Sequence, residues 1–265
     1  MREFNFYRAT SVADAVAKVK GAASGKYLGG GQSLLPVLKL EMAEPSDLIS
    51  ITRIADLNGI RVDSGKVLIG ATTTHAEVAS SADVRKTIPG LASLAEHIGD
   101  AQVRNRGTIG GSVAHADPAA DYPAALVALN ATVKTDRRSI AADDFFTGLF
   151  ETALAPDELV VAVHFPVPER AAYAKFGSHA SKYAICGVMV AKGADGVRVA
   201  VTGAGPKVFR VAAMEEALSK SFTPSALDGI TVPSDDLLSD GQASAEYRAH
   251  LVSVMAKRAV AAAVS

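Results

Sequence analysis

The chain has 265 residues, of which 49% are hydrophobic and 21% are charged, and its formal net charge is -1. This length suits one large globular domain or two moderate ones, and the near-neutral charge gives no electrostatic reason to expect nucleic acid or an anionic membrane as a partner. No apolar run approaches the roughly 18 residues of a membrane span, and the first residues lack the apolar segment of a signal peptide. A single cysteine, Cys186, leaves no internal disulfide and no all-cysteine metal or iron–sulfur site. We therefore expect a cytoplasmic protein.

Local patterns predict interspersed helices and strands over the first 168 residues. An amphipathic helix is expected within residues 10–21, where Ser11 is suited to be the N-cap, Asp14 follows three positions later and Gly21 ends the pattern. Strands are predicted at residues 26–28, 46–51, 66–74 and 158–168, and helical turns, interrupted near Pro89, at residues 75–99.

The pattern changes after about residue 168. Residues 183–193 and 196–205 predict two consecutive antiparallel strands, and residues 245–264 predict a long terminal helix. The apolar residues of that helix recur at helical spacing, at Leu251, Val252, Met255, Ala259 and Val260. We place a domain boundary within residues 166–175 and expect an α+β fold.

Residues 26–42, KYLGGGQSLLPVLKLEM, place three consecutive glycines and Ser33 before an apolar run. Adjacent glycines are costly to order, so another chain segment, a tight turn or a phosphate should approach this backbone closely. We predict a helix over residues 34–42, with Ser33 as its cap and Pro36 in its first turn, where the missing amide costs nothing. The glycines would then leave free amides at a positive helix end, which suits an anion. An ordinary strand-to-helix turn is the alternative.

The two common phosphate-binding motifs do not fit this segment. A Rossmann fingerprint needs spaced glycines and an acidic residue about 20 positions later, whereas these glycines are contiguous and the corresponding region reads LISITR. A Walker loop needs Gly-Lys followed by Ser or Thr, and residues 24–27, SGKY, lack that hydroxyl.

A second segment with glycines and hydroxyls follows about 80 residues later. In RNRGTIGGSVAHADPAAD, Gly107, Gly110 and Gly111 surround Thr108, and Ser112 adds a hydroxyl. Asp117 followed by Pro118 is a good N-cap and first residue for the alanine-rich helix that precedes a strand ending at residue 133. Two such segments could hold the two phosphates of one pyrophosphate from opposite sides.

Together, GGGQSLLPVLKL and IGDAQVRNRGTIGGSVAHADPAADYPAALVALNA closely resemble the medium, FAD-binding subunit of molybdenum hydroxylases, the family of xanthine dehydrogenase and carbon monoxide dehydrogenase. The resemblance covers essentially the whole chain. It implies an FAD-binding fold of the p-cresol methylhydroxylase and vanillyl-alcohol oxidase type in residues 1–168, with two subdomains that meet near residues 55–60. It also implies a smaller C-terminal domain in residues 169–265.

The resemblance also implies the residues that hold FAD. The first segment corresponds to Leu28, Gly29, Gly30, Gly31, Gln32, Ser33, Leu34 and Leu35, and the second to Thr108, Ile109, Gly110, Gly111 and Ser112. Asp121 matches an acidic residue that contacts the nucleotide, Ile98 an apolar residue that lines the cofactor, and Leu159 a further contact. Tyr183 lies where an aromatic ring could cover the flavin, although a core tyrosine fits that position equally well.

Other conspicuous residues carry weaker signals. The histidines form no metal-ligand spacing, and His115 is interpreted as packing near the cofactor and not as a covalent flavin anchor. Arg104 and Arg106 could neutralise a diphosphate or lie in a solvated turn. The family often has an acidic residue where this chain has Lys182, and some relatives carry iron–sulfur ligands that are missing here.

The function implied is that of an electron-transfer subunit. Substrate would be hydroxylated at a molybdopterin cofactor on a large partner subunit, and electrons would pass through [2Fe–2S] clusters on a small one to the FAD of this chain and then to an external acceptor. A dimer of heterotrimers is expected. No general acid, base or metal site is required of this chain, because the redox chemistry belongs to the cofactor. A scaffold without working flavin and a self-contained flavin oxidase of the same fold are the alternatives.

Overall fold

A computed structural model describes residues 2–265. The first sheet consists of three parallel strands, β1 (Asn5–Arg8), β2 (Gly25–Leu28) and β3 (Asp47–Ser50), in the order β1-β3-β2. Helices α1 (Val12–Gly21) and α2 (Leu34–Lys39) form the two crossovers that parallel strands require. The N-cap of α1 is Ser11, whose hydroxyl accepts a 3.1 Å hydrogen bond from the Asp14 amide, as the sequence predicts.

The second sheet is antiparallel and has five strands. They are β4 (Ile60–Asp63), β5 (Lys66–Gly70), β6 (Thr132–Thr135), β7 (Ser139–Ala141) and β10 (Val160–Pro166), in the order β4-β5-β10-β6-β7. Between β5 and β6 the chain forms α3 (His75–Ser80), α4 (Ala82–Thr87), α5 (Pro89–Glu96), α6 (Ala101–Arg104), α7 (Ile109–His115) and α8 (Tyr122–Ala128). A short helix α9 (Ala142–Phe145) and a hairpin of β8 (Phe146–Gly148) and β9 (Glu151–Thr152) precede β10.

The third sheet is also antiparallel and follows the chain order. It contains β11 (Arg170–Gly177), β12 (Ala184–Gly193), β13 (Gly196–Thr202) and β14 (Phe209–Arg210), followed by α10 (Ala212–Lys220) and α11 (Ala245–Val264). Short 3-10 turns occur at Ala55–Leu57 and Pro224–Leu227.

Both faces of the third sheet are buried. On one face Val199 and Val201 join a core cluster with residues of α10 and α11, and on the other Met189 and Ala200 join the core that the helices between β5 and β6 share with the second sheet. The alternation follows from the two-residue period of a strand. The third sheet is therefore joined to the rest of the protein through a continuous apolar layer.

Some of the helix and strand predictions differ from the structure. The strand expected at residues 66–74 ends at Gly70, and several elements, among them β1, β4, β11 and α10, were not predicted. Helix α2 ends at Lys39 and not at residue 42, because Glu41 has a left-handed backbone (φ 57°). The Met42 amide then donates to the Val37 carbonyl, which is the Schellman pattern that closes a helix.

The predicted start of the alanine-rich helix at Asp117 and Pro118 is wrong. Helix α8 begins at Tyr122, with Asp121 before it and Pro123 in its first turn. Asp117 instead closes a local turn, in which its carboxylate accepts a hydrogen bond from the Ala119 amide. Within residues 2–265, no helix has the length and apolar character that crossing a membrane would require.

Helix α11 offers a direct test of the packing of the third sheet. Met255 is buried beneath the sheet, whereas Val264 at the end of the same helix is exposed. We expect Met255→Ala to lower the free energy of unfolding by about 2–4 kcal/mol, because it removes buried methylenes and leaves a cavity. Val264→Ala should change it by less than about 0.5 kcal/mol. Urea denaturation measures both, and equal effects would contradict the packing described.

Candidate cofactor-binding site

A cavity of about 600 Å³ lies where the three sheets meet. Its size falls within the ~300–1,000 Å³ typical of cofactor sites. One wall is the segment between β2 and α2, a second is the start of α7, and a third combines residues 117–121 with residues 181–183. Residues 152–160 close the remaining side.

Most of the residues that the sequence assigned to FAD surround this cavity. Those that line it are Leu28, Gly29, Gly30, Gly31, Gln32, Ser33, Leu34, Ile98, Thr108, Gly110, Gly111, Ser112, Asp121, Leu159 and Tyr183. Leu35 and Ile109 do not line it. Leu35 packs its side chain against Gly31, and the side chain of Ile109 is fully buried in the core.

The first glycine segment presents a continuous run of unpaired backbone amides. None of the amides from Gly29 to Leu34 donates a hydrogen bond to any acceptor within residues 2–265. Buried or half-buried amides without partners are rare in proteins, and such a run at the start of a helix is typical of an anion site. We call residues 29–34 the amide run.

Each of the three glycines in this segment has a different physical reason for being glycine. A Cβ atom on Gly30 would overlap the Arg106 carbonyl, so another chain segment is what approaches this backbone. Gly31 has a φ of +76°, which glycine adopts without strain, and Gly29 lies against the Thr108 hydroxyl. Larger residues at position 30 would therefore separate the two glycine segments from each other.

Ser33 precedes α2 but its hydroxyl caps nothing. Its backbone is helical (φ -103°, ψ -50°) and not extended as a capping residue requires. The amides that a cap would reach are also taken or missing, since Leu35 donates to the Gly31 carbonyl and Pro36 has no N–H. The Ser33 hydroxyl thus remains available at the cavity.

The second glycine segment is built differently from the first, although both combine glycines with hydroxyl residues. Gly110 and Gly111 belong to the first turn of α7, where Thr108 is the N-cap. The Ile109 amide donates to Thr73 and the Gly110 amide to Ala71, at 3.0 and 2.9 Å. The amides of Gly111 and Ser112 are bound to the side chain and the carbonyl of Thr108.

Gly110 is required by packing and not by a ligand, because its Cβ would collide with the backbone of Ala71. What this segment offers to a ligand is hydroxyl chemistry. The Ser112 hydroxyl lines the cavity and makes no hydrogen bond within residues 2–265, so it and the Ser33 hydroxyl are free to donate.

At the third wall, Asp121 is held by two residues of the third sheet. Its carboxylate accepts hydrogen bonds from the Tyr173 hydroxyl at 2.6 Å and from the Lys175 ammonium at 2.9 Å. Burial raises the pKa of the Asp121 carboxyl, and the Lys175 charge opposes that shift. Tyr183, beside it, is 43% exposed at the edge of the cavity.

The opposite side of the cavity is fixed by a buried carboxylate. Glu158 accepts hydrogen bonds from the Arg138 guanidinium, the Thr135 hydroxyl and the Ala155 amide. The Arg138 contact is the main reason that the pKa of Glu158 falls to about 2. This network positions the backbone at Leu159, which lines the cavity next to it.

Sequence reasoning missed two residues that matter here. Lys175 pairs with Asp121, yet 54 positions separate them, and no local pattern reveals such a pair. His75 is 4% exposed, lines the cavity and packs on the ring of Tyr122 at 5.4 Å. His75 is the first residue of α3, and no sequence pattern around it indicates a cofactor site.

Of the residues with weaker sequence signals, some line the cavity and others do not. His115 lines the cavity and packs against the ring of Phe150 at 5.3 Å. Arg104 donates to the carbonyls of Ile98 and Gly99, and neither Arg104 nor Arg106 lines the cavity. Lys182 does line it, with a left-handed backbone (φ 63°).

Comparison with known proteins defines the class of protein. The carbon monoxide dehydrogenase medium chain of Hydrogenophaga pseudoflava is 36% identical over 98% of this chain and 96% of its own length. The nicotine 6-hydroxylase medium subunit of Paenarthrobacter nicotinovorans is 36% identical over 94% and 93%. A solved structure of the H. pseudoflava carbon monoxide dehydrogenase, at 36% identity, superposes with a TM-score of 0.90 and covers 99% of this chain and 98% of the other.

These relatives are oxidoreductase subunits of one architecture. Residues 2–168 also match the family described as the FAD binding domain in molybdopterin dehydrogenase. The chain belongs to this family of FAD-binding medium subunits of molybdenum hydroxylases. The predictions of an α+β FAD-binding fold, of FAD as the cofactor and of an oxidoreductase subunit are confirmed.

His75 makes the stability of the site depend on pH. Burial is the main cause that lowers the pKa of His75 from 6.5 to about 4, and the Arg104 charge adds to it. The unfolded chain therefore binds this proton more tightly between pH 6.5 and 4, and stability falls as the pH falls through that window. We expect His75→Leu to remove up to about 3 kcal/mol of this pH dependence.

The measurement is the free energy of unfolding of both proteins between pH 8 and pH 4, without added FAD. A difference between variant and unmodified protein that stays constant over this range would show that His75 does not carry the effect.

Proposed function

We propose that this chain passes electrons from [2Fe–2S] clusters on a small partner subunit, through FAD, to an external acceptor. A large partner subunit would carry the molybdopterin cofactor at which substrate is hydroxylated. Several relatives are named as medium chains or subunits, including those of carbon monoxide dehydrogenase and glyceraldehyde dehydrogenase, which implies further chains in their complexes. We further propose that this chain and its two partners form a dimer of heterotrimers, located in the cytoplasm.

The amide run is the observation that carries the proposal. FAD has a diphosphate with two negative charges, and unpaired amides at the start of a helix are the groups that stabilise such charges. We assign the diphosphate to residues 29–34, with the hydroxyls of Ser33 and Ser112 as additional donors. The remaining predicted residues, Leu35 and Ile109 excepted, would contact the cofactor from the cavity walls.

The two sides of the cavity differ in chemistry, and this difference favours one orientation of the isoalloxazine ring and the adenosine of FAD. Tyr183 offers an aromatic face at the solvent edge, which suits the isoalloxazine ring, and Asp121 beside it offers a carboxylate that Lys175 keeps fixed. The adenosine would then lie towards Leu159 and the backbone that Glu158 holds. When bound, FAD supplies the redox chemistry, and the residues of this chain bind it, orient it and limit its access to water.

We also propose that residues 1–168 form the FAD-binding domain, in two subdomains that meet near residues 55–60, and residues 169–265 the C-terminal domain. The boundary coincides with the end of the region matched by the family. The scaffold alternative is less well supported, because an unpaired amide run costs stability unless something binds it.

Flavin analysis of the natural complex tests the proposal. The protein should be isolated with its partners, the flavin released by denaturation, and the product separated by chromatography. We expect FAD in about one-to-one ratio with this chain and iron and molybdenum in the same complex. FMN, no flavin, or substrate oxidation by this chain alone without molybdenum or iron would contradict it.

A charge placed in the amide run tests the diphosphate assignment. The Ser33 side chain caps nothing in α2, so neither Ser33→Asp nor Ser33→Asn removes a bond that holds the helix, and α2 should stay intact in both. The carboxylate that the first change introduces would compete with the diphosphate for the amides, and we expect FAD affinity to fall at least about 100-fold. The Asn variant should stay within about threefold, because it adds no charge.

Both dissociation constants can be measured by titrating the flavin-free protein with FAD. Equal affinities for the Asp and Asn variants would show that the diphosphate lies elsewhere.

A further inference from the structure

The turn between α7 and α8 takes its hydrogen bonds from the third sheet. We call residues 117–121 the cavity turn. The Gly203 amide donates to the Pro118 carbonyl at 2.8 Å, and the Ala184 amide donates to the Ala119 carbonyl at 3.1 Å. Strands β12 and β13 thus reach across to a segment of the FAD-binding half of the chain.

The Thr202 hydroxyl completes this set. It lies 2.6 Å from the Ala120 carbonyl oxygen and 3.0 Å from that of Pro118. Thr202 is fully buried, and its hydroxyl is the hydrogen-bond donor that the structure gives to Ala120 within residues 2–265. A buried carbonyl without a donor is costly, so this hydroxyl fixes the end of the cavity turn.

A buried arginine is hydrogen-bonded at the start of β12 and just after the end of β13. Arg248 of α11 donates to the carbonyls of Ile185 and Gly203, at 2.7 and 2.6 Å, and to the Asp240 carboxylate at 2.8 Å. It therefore ties the start of β12 to the end of β13, where the donors to the cavity turn are located. Tyr183 immediately precedes this point.

Two cavity-lining groups depend on this arrangement. Asp121 is the last residue of the cavity turn, and Tyr183 leads into the strand that binds Ala119. We infer that the third sheet is a clamp for the cavity turn, and that Thr202 is a positioning residue that sets Asp121 and Tyr183 against bound FAD. The inference rests on the proposed function for the identity of the ligand.

Three variants separate positioning from simple loss of stability. Thr202→Val removes the hydroxyl and keeps the shape, whereas Thr202→Ser keeps the hydroxyl. Val201→Ala is the matched control, because Val201 lies on the opposite face of β13, in the core cluster that includes residues of α10 and α11. Thermal unfolding would rank the stability of all three.

We expect Thr202→Val to raise the dissociation constant for FAD by about tenfold, the factor that corresponds to loss of one buried hydrogen bond. Thr202→Ser should restore it to within about threefold, and Val201→Ala should leave it unchanged even where the melting temperature falls equally. Equal weakening by Thr202→Val and Val201→Ala, or no rescue by Ser, would overturn the inference.

Hydrogen exchange measured without FAD tests the clamp independently of the ligand. The amides of Ala119 and Ala120 are bonded within the cavity turn, to Asp117. Their exchange should accelerate at least about tenfold in Thr202→Val and not in Val201→Ala. Unchanged exchange would refute the clamp, whereas failure of the unmodified chain to bind FAD would refute the proposed function instead.

Discussion

The contact between Gly30 and the backbone of Arg106 is the constraint on which the site depends. It places the turn after β2 directly against the segment before α7, so the amides of residues 29–34 are held in place without pairing to each other. Free amides destabilise a folded chain unless a ligand or water binds them. The protein therefore presents to the cavity a run of amides that no protein acceptor binds, and the other walls of the cavity surround it.

The two glycine segments contribute different groups to the site, although their sequences are similar. The first supplies amides, while the second supplies hydroxyls and close packing, because the amides of Ile109 and Gly110 are taken by Thr73 and Ala71. The third sheet adds Lys175, which forms an ion pair with Asp121. Buried pairs of this kind contribute more to geometry than to stability, which suits a subunit whose role is to hold a cofactor in one position.

Periodicity and capping residues were sufficient to predict α1, α11 and the pair β12 and β13, because those signals are local. The glycine segments were also recognisable, and the structure brings both to one cavity. Local patterns could not show which amides remain free, since the acceptors of the Ile109 and Gly110 amides lie more than 30 residues away in the chain. The same limit hid Lys175, and the short, largely exposed strand β4 had too little apolar pattern to be predicted.

The most direct test of this account is to observe the amides themselves. At 27.3 kDa, the chain is small enough for amide resonances to be followed by NMR during titration with FAD. We expect large shifts and slowed exchange for the amides of residues 29–34, and small changes for those of residues 109–112, which are already bonded within the protein. Equal changes in both segments, or none in the amide run, would contradict it.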